Sequence, residues 1–174
     1  DTLATPVEGS EGEIREVLAV AIGELRVHGH ADAARSMTGR AIGWYERRPP
    51  ESGKDAEVRR LRRRSTLLLL SERWKERLPV LRQLRKALPD AMRIRCTIPL
   101  ATLQAGHPAE AARLDAELRS FQAPFLYGLP SVARARYAVA LGRKDEAVEL
   151  LREALAQGYP RPGPYSPREV LRHA

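Results

Sequence analysis

The chain has 174 residues and a mass of 19.4 kDa, which is long enough to bury a core without disulfides or a structural metal. Its 43% hydrophobic and 30% charged residues are typical of a globular protein, and its longest leucine run, Leu67 to Leu70, is far shorter than the roughly 20 apolar residues that cross a bilayer. The net charge of +8, from 26 arginines and four lysines against 22 acidic residues, permits an acidic partner, although GC-rich coding also favours arginine and would explain the absence of asparagine.

The pattern of apolar residues, caps and breakers predicts eight helices and no strand, because no segment sustains an alternation of period two. Residues 1–10 are expected to be a tail, and Ser10 with Glu13 forms a capping box at the start of the first helix. Asp32 is expected to cap the second helix, and Pro108 to occupy the first position of the sixth. In chain order, the predicted helices cover about 10–29, 32–45, 55–70, 74–88, 91–105, 108–121, 130–142 and 143–158.

The helices form pairs whose internal turns recur along the chain. The turns are expected at Gly29, Glu72, Gly106 and Gly142, with spacings of 43, 34 and 36 residues, and the long first spacing contains a loop at Pro49–Lys54. Aligning the turns brings three alanines into register in the second helices, Ala34, Ala111 and Ala147, and puts Arg77 at the same place in the second pair. One stretch later Ala41 and Ala154 coincide, with Leu84 and Leu118 in the other two pairs.

This arrangement resembles the tetratricopeptide repeat family, whose unit of about 34 residues is a helix–turn–helix with small residues at the helix crossing. Gly142–Ala147, continuing to Pro160, carries the strongest resemblance, followed by Gly106–Ala111 and Gly29–Ala41. The resemblance implies an α-α superhelix of four units, about 11–50, 55–90, 91–124 and 128–160, within one repeat domain at 11–160. Residues 161–174 are expected to form a proline-rich tail with a short capping helix.

The chain departs from the family pattern in its first helices, which lack the usual aromatic and leucine-glycine residues. Pro79 and Pro99 fall inside predicted helices, where a proline costs about 3 kcal/mol unless a kink is accommodated. A divergent array of bacterial type is therefore expected, and a different α-α solenoid is the structural alternative. The tail resembles segments that follow such repeats in large bacterial regulatory proteins, so the chain could be a fragment of one.

Two features of the sequence could indicate a metal site or a catalytic nucleophile, and neither fits the pattern that such a site requires. His28-Gly-His30-Ala-Asp32 imitates a metallo-hydrolase motif but follows a helix instead of a strand, and the further histidine that motif needs after the aspartate is absent. Cys96 lies among apolar residues without a partner base and is expected to be a small hydrophobic residue. We therefore expect no catalytic residue, no metal and no cofactor.

The arginines predict a basic binding groove. In tetratricopeptide arrays the first helix of each unit lines the concave surface, and five arginines crowd into Arg59–Arg64 on one such helix. The resemblance implies that this surface contains Arg26, Arg59, Arg62, Arg93, Arg136, Cys96, Leu100, Leu103 and Val139. The alternative is a solvated face whose arginines pair with local carboxylates. The carboxylate clamp known in this family uses lysine and asparagine, and it is not expected here because the chain has no asparagine.

The function expected from these features is a non-catalytic scaffold that binds an acidic or amphipathic segment of a partner protein. The uncovered ends of a four-unit array would also allow self-association. The alternative is a nucleic-acid-binding repeat protein that contacts phosphates with its arginines. Interspersed acidic residues and 5% aromatic residues favour the first function. Without a visible signal peptide, the expected location is the cytoplasm.

Overall fold

The structure, a computed structural model, describes the backbone at residues 11–47, 53, 55–121 and 124–159, and the side chains of these residues except 11–17, 19 and 46. These residues form eight helices and no strand, so the all-α prediction is confirmed for the described part of the chain. No helix in these ranges has the length and apolar character to cross a membrane. The chain divides into an N-terminal unit, Asp1–Pro50, and a C-terminal unit, Glu51–Ala174.

Helix bounds follow the predicted caps and breakers closely. α6 begins at Pro108 as predicted, because its missing N–H is one that the first turn leaves unpaired anyway. α4 and α5 continue through Pro79 and Pro99. The N-terminal unit contains α1 (Glu11–Val27) and α2 (Ala31–Glu46), and the C-terminal unit contains α3 (Ala56–Leu70), α4 (Trp74–Ala87), α5 (Met92–Gln104), α6 (Pro108–Ser120), α7 (Leu129–Ala140) and α8 (Lys144–Ala156).

The four turns inside the helix pairs share one geometry, and all four predicted positions are confirmed. Gly29, Glu72, Gly106 and Gly142 have φ values of 79°, 57°, 93° and 74°, in the left-handed region. At each turn the next N–H bonds back to the carbonyl five residues earlier, as in His107 N to Thr102 O at 3.1 Å. This is a Schellman ending, which closes one helix and lets the next begin two residues later.

The small residues that the turn alignment brings into register are buried in three of the helix pairs. Ala34, Ala111 and Ala147 are at most 1% exposed, and Ala41 and Ala154 are 1% exposed. Because alanine has no side chain beyond Cβ, it allows two packed helix backbones to approach closely. In the α3–α4 pair the equivalent residue is Arg77, which is only 7% exposed, so the register holds there although the residue is large and charged.

Packing within the C-terminal unit is centred on α5, which contacts α4, α6 and α7. One core cluster joins α3, α4 and α5 and is rich in leucine, with Leu61, Leu78 and Leu81 at most 3% exposed. A second joins α7 and α8 and is rich in alanine, with Ala135 completely buried. Among the described residues, α3 and α5 do not form a closely packed pair, whereas α5 and α7 do.

One predicted cap is wrong. Asp32 does not cap α2, because the Schellman turn at Gly29 makes His30 the N-cap residue and puts Asp32 in the first helical turn, where it pairs with Arg35. The capping box at Ser10, the tail at 1–10, most of the loop at Pro49–Lys54 and the capping helix at 161–174 lie outside the described residues.

Candidate partner-binding surface

Acidic residues are distributed unevenly among the helices of the C-terminal unit, and α4, like α3, has a single one, Glu76. α3 has five arginines and a single acidic residue, Glu57, and α5 and α7 have two arginines each and no acidic residue. In contrast, α6 has three acidic residues and α8 has four. Local carboxylates are therefore available to neutralise arginine on α6 and α8 and are missing from α5 and α7.

Several exposed arginines around α4, α6 and α8 are held in ion pairs. Arg113 pairs with Glu117 within α6, Arg152 pairs with Glu149 within α8, and Arg73 pairs with Glu76 at the start of α4. Arg82 of α4 reaches Glu110 of α6, with Nη2 at 2.8 Å from Oε1. Such exposed pairs contribute little to stability, but they occupy the arginines that form them.

The α5–α7 surface, which we define as Arg93, Leu100, Leu103, Arg136 and Val139, gathers five of the predicted binding residues on two helices that pack together. Arg93 and Arg136 are exposed, and among the described residues neither has a carboxylate within ion-pair distance. The three apolar side chains are half-buried, so part of each is accessible.

Helical spacing explains why the α5 part of this surface is accessible. Arg93, Thr97, Leu100 and Gln104 lie at intervals of three or four residues and form one stripe, in which none is buried. The Thr97 hydroxyl donates to the Arg93 carbonyl at 2.7 Å, so it is satisfied within the helix. The stripe therefore presents a cation and an apolar side chain without a competing acid.

The remaining predicted arginines lie on other helices. Arg59 and Arg62 are exposed on α3, which packs on α4, and Arg26 belongs to the N-terminal unit. Arg26 and Arg59 already take part in contacts of their own. Cys96 is a correction to the predicted surface: it is 6% exposed, and burial raises the pKa of its thiol to about 11, so it is a core residue.

Two arginines that sequence reasoning missed line a cavity on another side of α5. The cavity has a volume of about 420 Å³ and lies between α4, α5 and α6. The Arg95 guanidinium lies over the ring of Phe121, with Cζ at 4.4 Å from the ring centroid. Arg85, in the last turn of α4, lines the same cavity. The lack of acidic residues on α5 was the one feature of the sequence that could have indicated an anion site here. The positions of Phe121 and Arg85 beside Arg95 depend on tertiary packing.

Charged groups are also buried at two helix contacts. Arg77 donates through Nε to Ser65 Oγ at 3.4 Å and lies 5.4 Å from the Trp74 ring centroid, and burial lowers the pKa of Arg77 to about 10. Between α6 and α7, Arg134 Nε lies 3.4 Å from Asp115 Oδ1. Burial raises the pKa of Asp115, and Arg134 offsets this only in part. Both groups are integral to packing and are unsuited to capture of a partner.

The described part of the chain contains no cluster of potential metal ligands. There, no three side chains of histidine, cysteine, aspartate or glutamate are grouped to hold a metal ion. The sequence His28–Asp32 is divided between a turn and a helix start, and His28 Nε2 lies 3.4 Å from Glu24.

Comparison with protein-family models, curated proteins and solved structures finds no match to this chain. The resemblance to tetratricopeptide repeats therefore depends on the turns, crossing residues and spacings of the chain itself.

Proposed function

We propose that this chain is a non-catalytic scaffold of the tetratricopeptide-like kind, and that its α5–α7 surface binds an acidic, amphipathic segment of a partner protein. The repeated Schellman turn and the buried alanines at three crossings support the repeat architecture. Stacked helix pairs of this kind offer extended surfaces in place of a closed catalytic pocket.

The observation that carries the proposal is the lack of acidic residues on α5 and α7 together with the exposure of Arg93 and Arg136. An arginine that is already paired must exchange one carboxylate for another, which gains little. Arg93 and Arg136 have no such partner in the described residues, so a carboxylate from outside adds a new charge-assisted bond.

The apolar members of the surface favour an amphipathic segment over a purely acidic one. Leu100, Leu103 and Val139 are half-buried and can lose further water when covered. Each square ångström of apolar surface removed from water contributes about 25 cal/mol, so this contact adds affinity that salt does not screen. A segment with one acidic face and one leucine-rich face would match both the arginines and the apolar side chains of this surface.

The experiment measures binding of a fluorescein-labelled amphipathic peptide with a glutamate face, using a lysine-faced peptide for comparison. Reversing two charges in R93E/R136E should weaken binding of the acidic peptide about tenfold or more, since each lost contact and new repulsion costs about 0.7 kcal/mol or more. The control R73E/R152E makes the same change in net charge at arginines that are already paired with glutamates. It should change the affinity less than about twofold.

Equal losses in the two double variants would refute the proposed surface, because only the net charge would then matter. The alternative function, nucleic-acid binding, would be supported if single-stranded RNA bound more tightly than the acidic peptide, with an affinity that falls steeply with salt. The five arginines of α3 are the residues that such a result would implicate.

A further inference from the structure

The cavity between α4, α5 and α6 has the composition of an anion site. It collects the end of α4, the middle of α5 and the end of α6, and its volume is about 420 Å³. A water molecule occupies about 30 Å³ of liquid, so there is room for an anion and for an organic group attached to it. The lining residues are Arg85, Arg95, Pro99, Leu114, Glu117, Leu118, Ser120 and Phe121.

Two positive charges in this cavity are uncompensated. Neither Arg85 nor Arg95 has a carboxylate within ion-pair distance among the residues that the structure describes. Glu117, the acidic residue of the lining, is already paired with Arg113. Ser120 donates its hydroxyl to backbone carbonyls, with 3.2 Å to Glu117 O, so the two guanidinium groups are the donors that remain for a ligand.

Arg95 is held in position before any ligand arrives. Its guanidinium lies over Phe121 at 4.4 Å, a cation–π contact that fixes the plane of the fork without using its N–H groups. Because the fork is fixed, less side-chain entropy is lost when an anion binds. Arg95 lies two residues beyond Arg93 and hence about 200° around α5, so this cavity is distinct from the α5–α7 surface.

We propose that this cavity binds a phosphate monoester. A phosphate monoester has a charge of about −1.5 to −2 at pH 7 and three acceptor oxygens, which match two uncompensated guanidinium groups. A carboxylate has one negative charge and would leave one guanidinium uncompensated. Pro99, Leu114 and Leu118 form an apolar wall for the organic group of the ester. The ester is carried either by a small molecule or by a phosphorylated side chain of a protein.

Calorimetry on the full chain with phenyl phosphate as probe tests the site, with benzoate as the singly charged comparison. Phenyl phosphate should bind at least about tenfold more tightly than benzoate, and its affinity should fall below pH 6, about where the dianion gains a proton. R85Q and R95Q should each weaken phenyl phosphate binding about tenfold or more. The control R82Q changes an exposed arginine of the same α4 helix that is paired with Glu110, and it should leave binding unchanged within about twofold.

A phosphotyrosine peptide distinguishes the two sources of the ester. If the peptide binds more tightly than phenyl phosphate, the natural ligand is a phosphorylated protein. If the two bind equally, the natural ligand is a small molecule, and either result supports the site.

Equal affinity for benzoate and phenyl phosphate, or unchanged binding by R85Q and R95Q, would overturn the proposal. R93E/R136E should not affect phenyl phosphate, so failure here is separable from failure of the α5–α7 surface. Thermal melting of each variant verifies that it is folded.

Discussion

The α3–α4 and α7–α8 pairs have the same turn but differ in the residues that lie between their two helices. We compare the residue seven positions before the left-handed turn residue with the one five positions after it, and call these two the crossing residues of the pair. In α7–α8 these are Ala135 and Ala147, which are 0% and 1% exposed. In α3–α4 they are Ser65 and Arg77, which are 6% and 7% exposed.

This difference shows that the turn and the crossing are specified separately. The Schellman turn depends on one left-handed residue and local backbone bonds, so it tolerates Glu72 where the other pairs have glycine. The crossing depends on what fills the space between two helices. Arg77 fills it with an aliphatic stem and a guanidinium that rests between Ser65 and Trp74, so the pair is spaced by a buried charge instead of by alanine.

The largest effect is expected from placing an arginine at the alanine crossing. A147R should destabilise the chain by about 4 kcal/mol or unfold α7–α8, because Ala147 is 1% exposed in an apolar cluster that includes Ala135 and Leu150, where a large charged side chain would be buried. Denaturation in urea, followed by circular dichroism, measures it. The control A156R changes an exposed residue at the end of the same helix and should cost less than about 0.5 kcal/mol. Equal effects of the two variants would mean that the crossing does not determine stability.

A second test concerns how closely α7 approaches α8. A Cβ added at Gly128, whose φ is 72°, would lie 2.4 Å from the Ala154 carbonyl oxygen. Gly142 has a similar φ of 74° but no atom within 4 Å of an added Cβ. G128A should therefore cost about 3 kcal/mol and G142A about 1 kcal/mol, since only the first adds a clash to the backbone strain. Urea midpoints of the two variants give the difference, and a larger loss in G142A would contradict it.

A third test separates the volume of Arg77 from its charge. R77A should cost about 2 kcal/mol because it leaves a cavity between α3 and α4. R77M keeps most of the volume and removes a charge whose burial is unfavourable, as the lowering of the pKa of Arg77 to about 10 indicates. R77M should stay within about 1 kcal/mol of the wild type. If R77M lost as much stability as R77A, the contacts to Ser65 and Trp74 would outweigh the cost of burying the charge.

Local patterns predicted the all-α class and most of the helix ends. Left-handed residues and prolines mark the ends of helices through backbone geometry alone, which explains why Gly29, Gly106 and Pro108 were placed correctly. Aligning the turns also found the buried crossing residues, including Arg77, because equal spacing from equal turns gives equal positions. Asp32 was misplaced since the adjacent turn decides where α2 begins, and an aspartate suits a first helical turn as well as a cap.

The candidate sites depended more on packing and were only partly predictable. The turn alignment and the family resemblance placed Arg93, Cys96 and Leu100 on one surface, but they could not show which side of α5 its neighbours cover, and Cys96 is buried. The repeat alignment equated α3 with α5 and α7, whereas α5 packs on α4 and α7 and not closely on α3. The approach of Arg85, Arg95 and Phe121 joins residues from three helices and leaves no local pattern.

The smallest effect concerns the other buried charge, which, unlike Arg77, has an ionic partner. Asp115 faces Arg134, with Arg119 and Glu146 near enough to influence it, and burial nevertheless raises its pKa. The folded chain therefore binds more protons than the unfolded chain from the ordinary aspartate pKa of about 3.9 up to the raised value, and its stability falls as the pH rises through that interval. Asparagine does not titrate, so the free energy of unfolding of the wild type minus that of D115N should decrease between pH 4 and pH 7 in urea titrations. An increase instead would mean that Arg134 compensates the buried carboxylate fully, and the charge buried between α6 and α7 would then be better satisfied than the charge of Arg77 between α3 and α4.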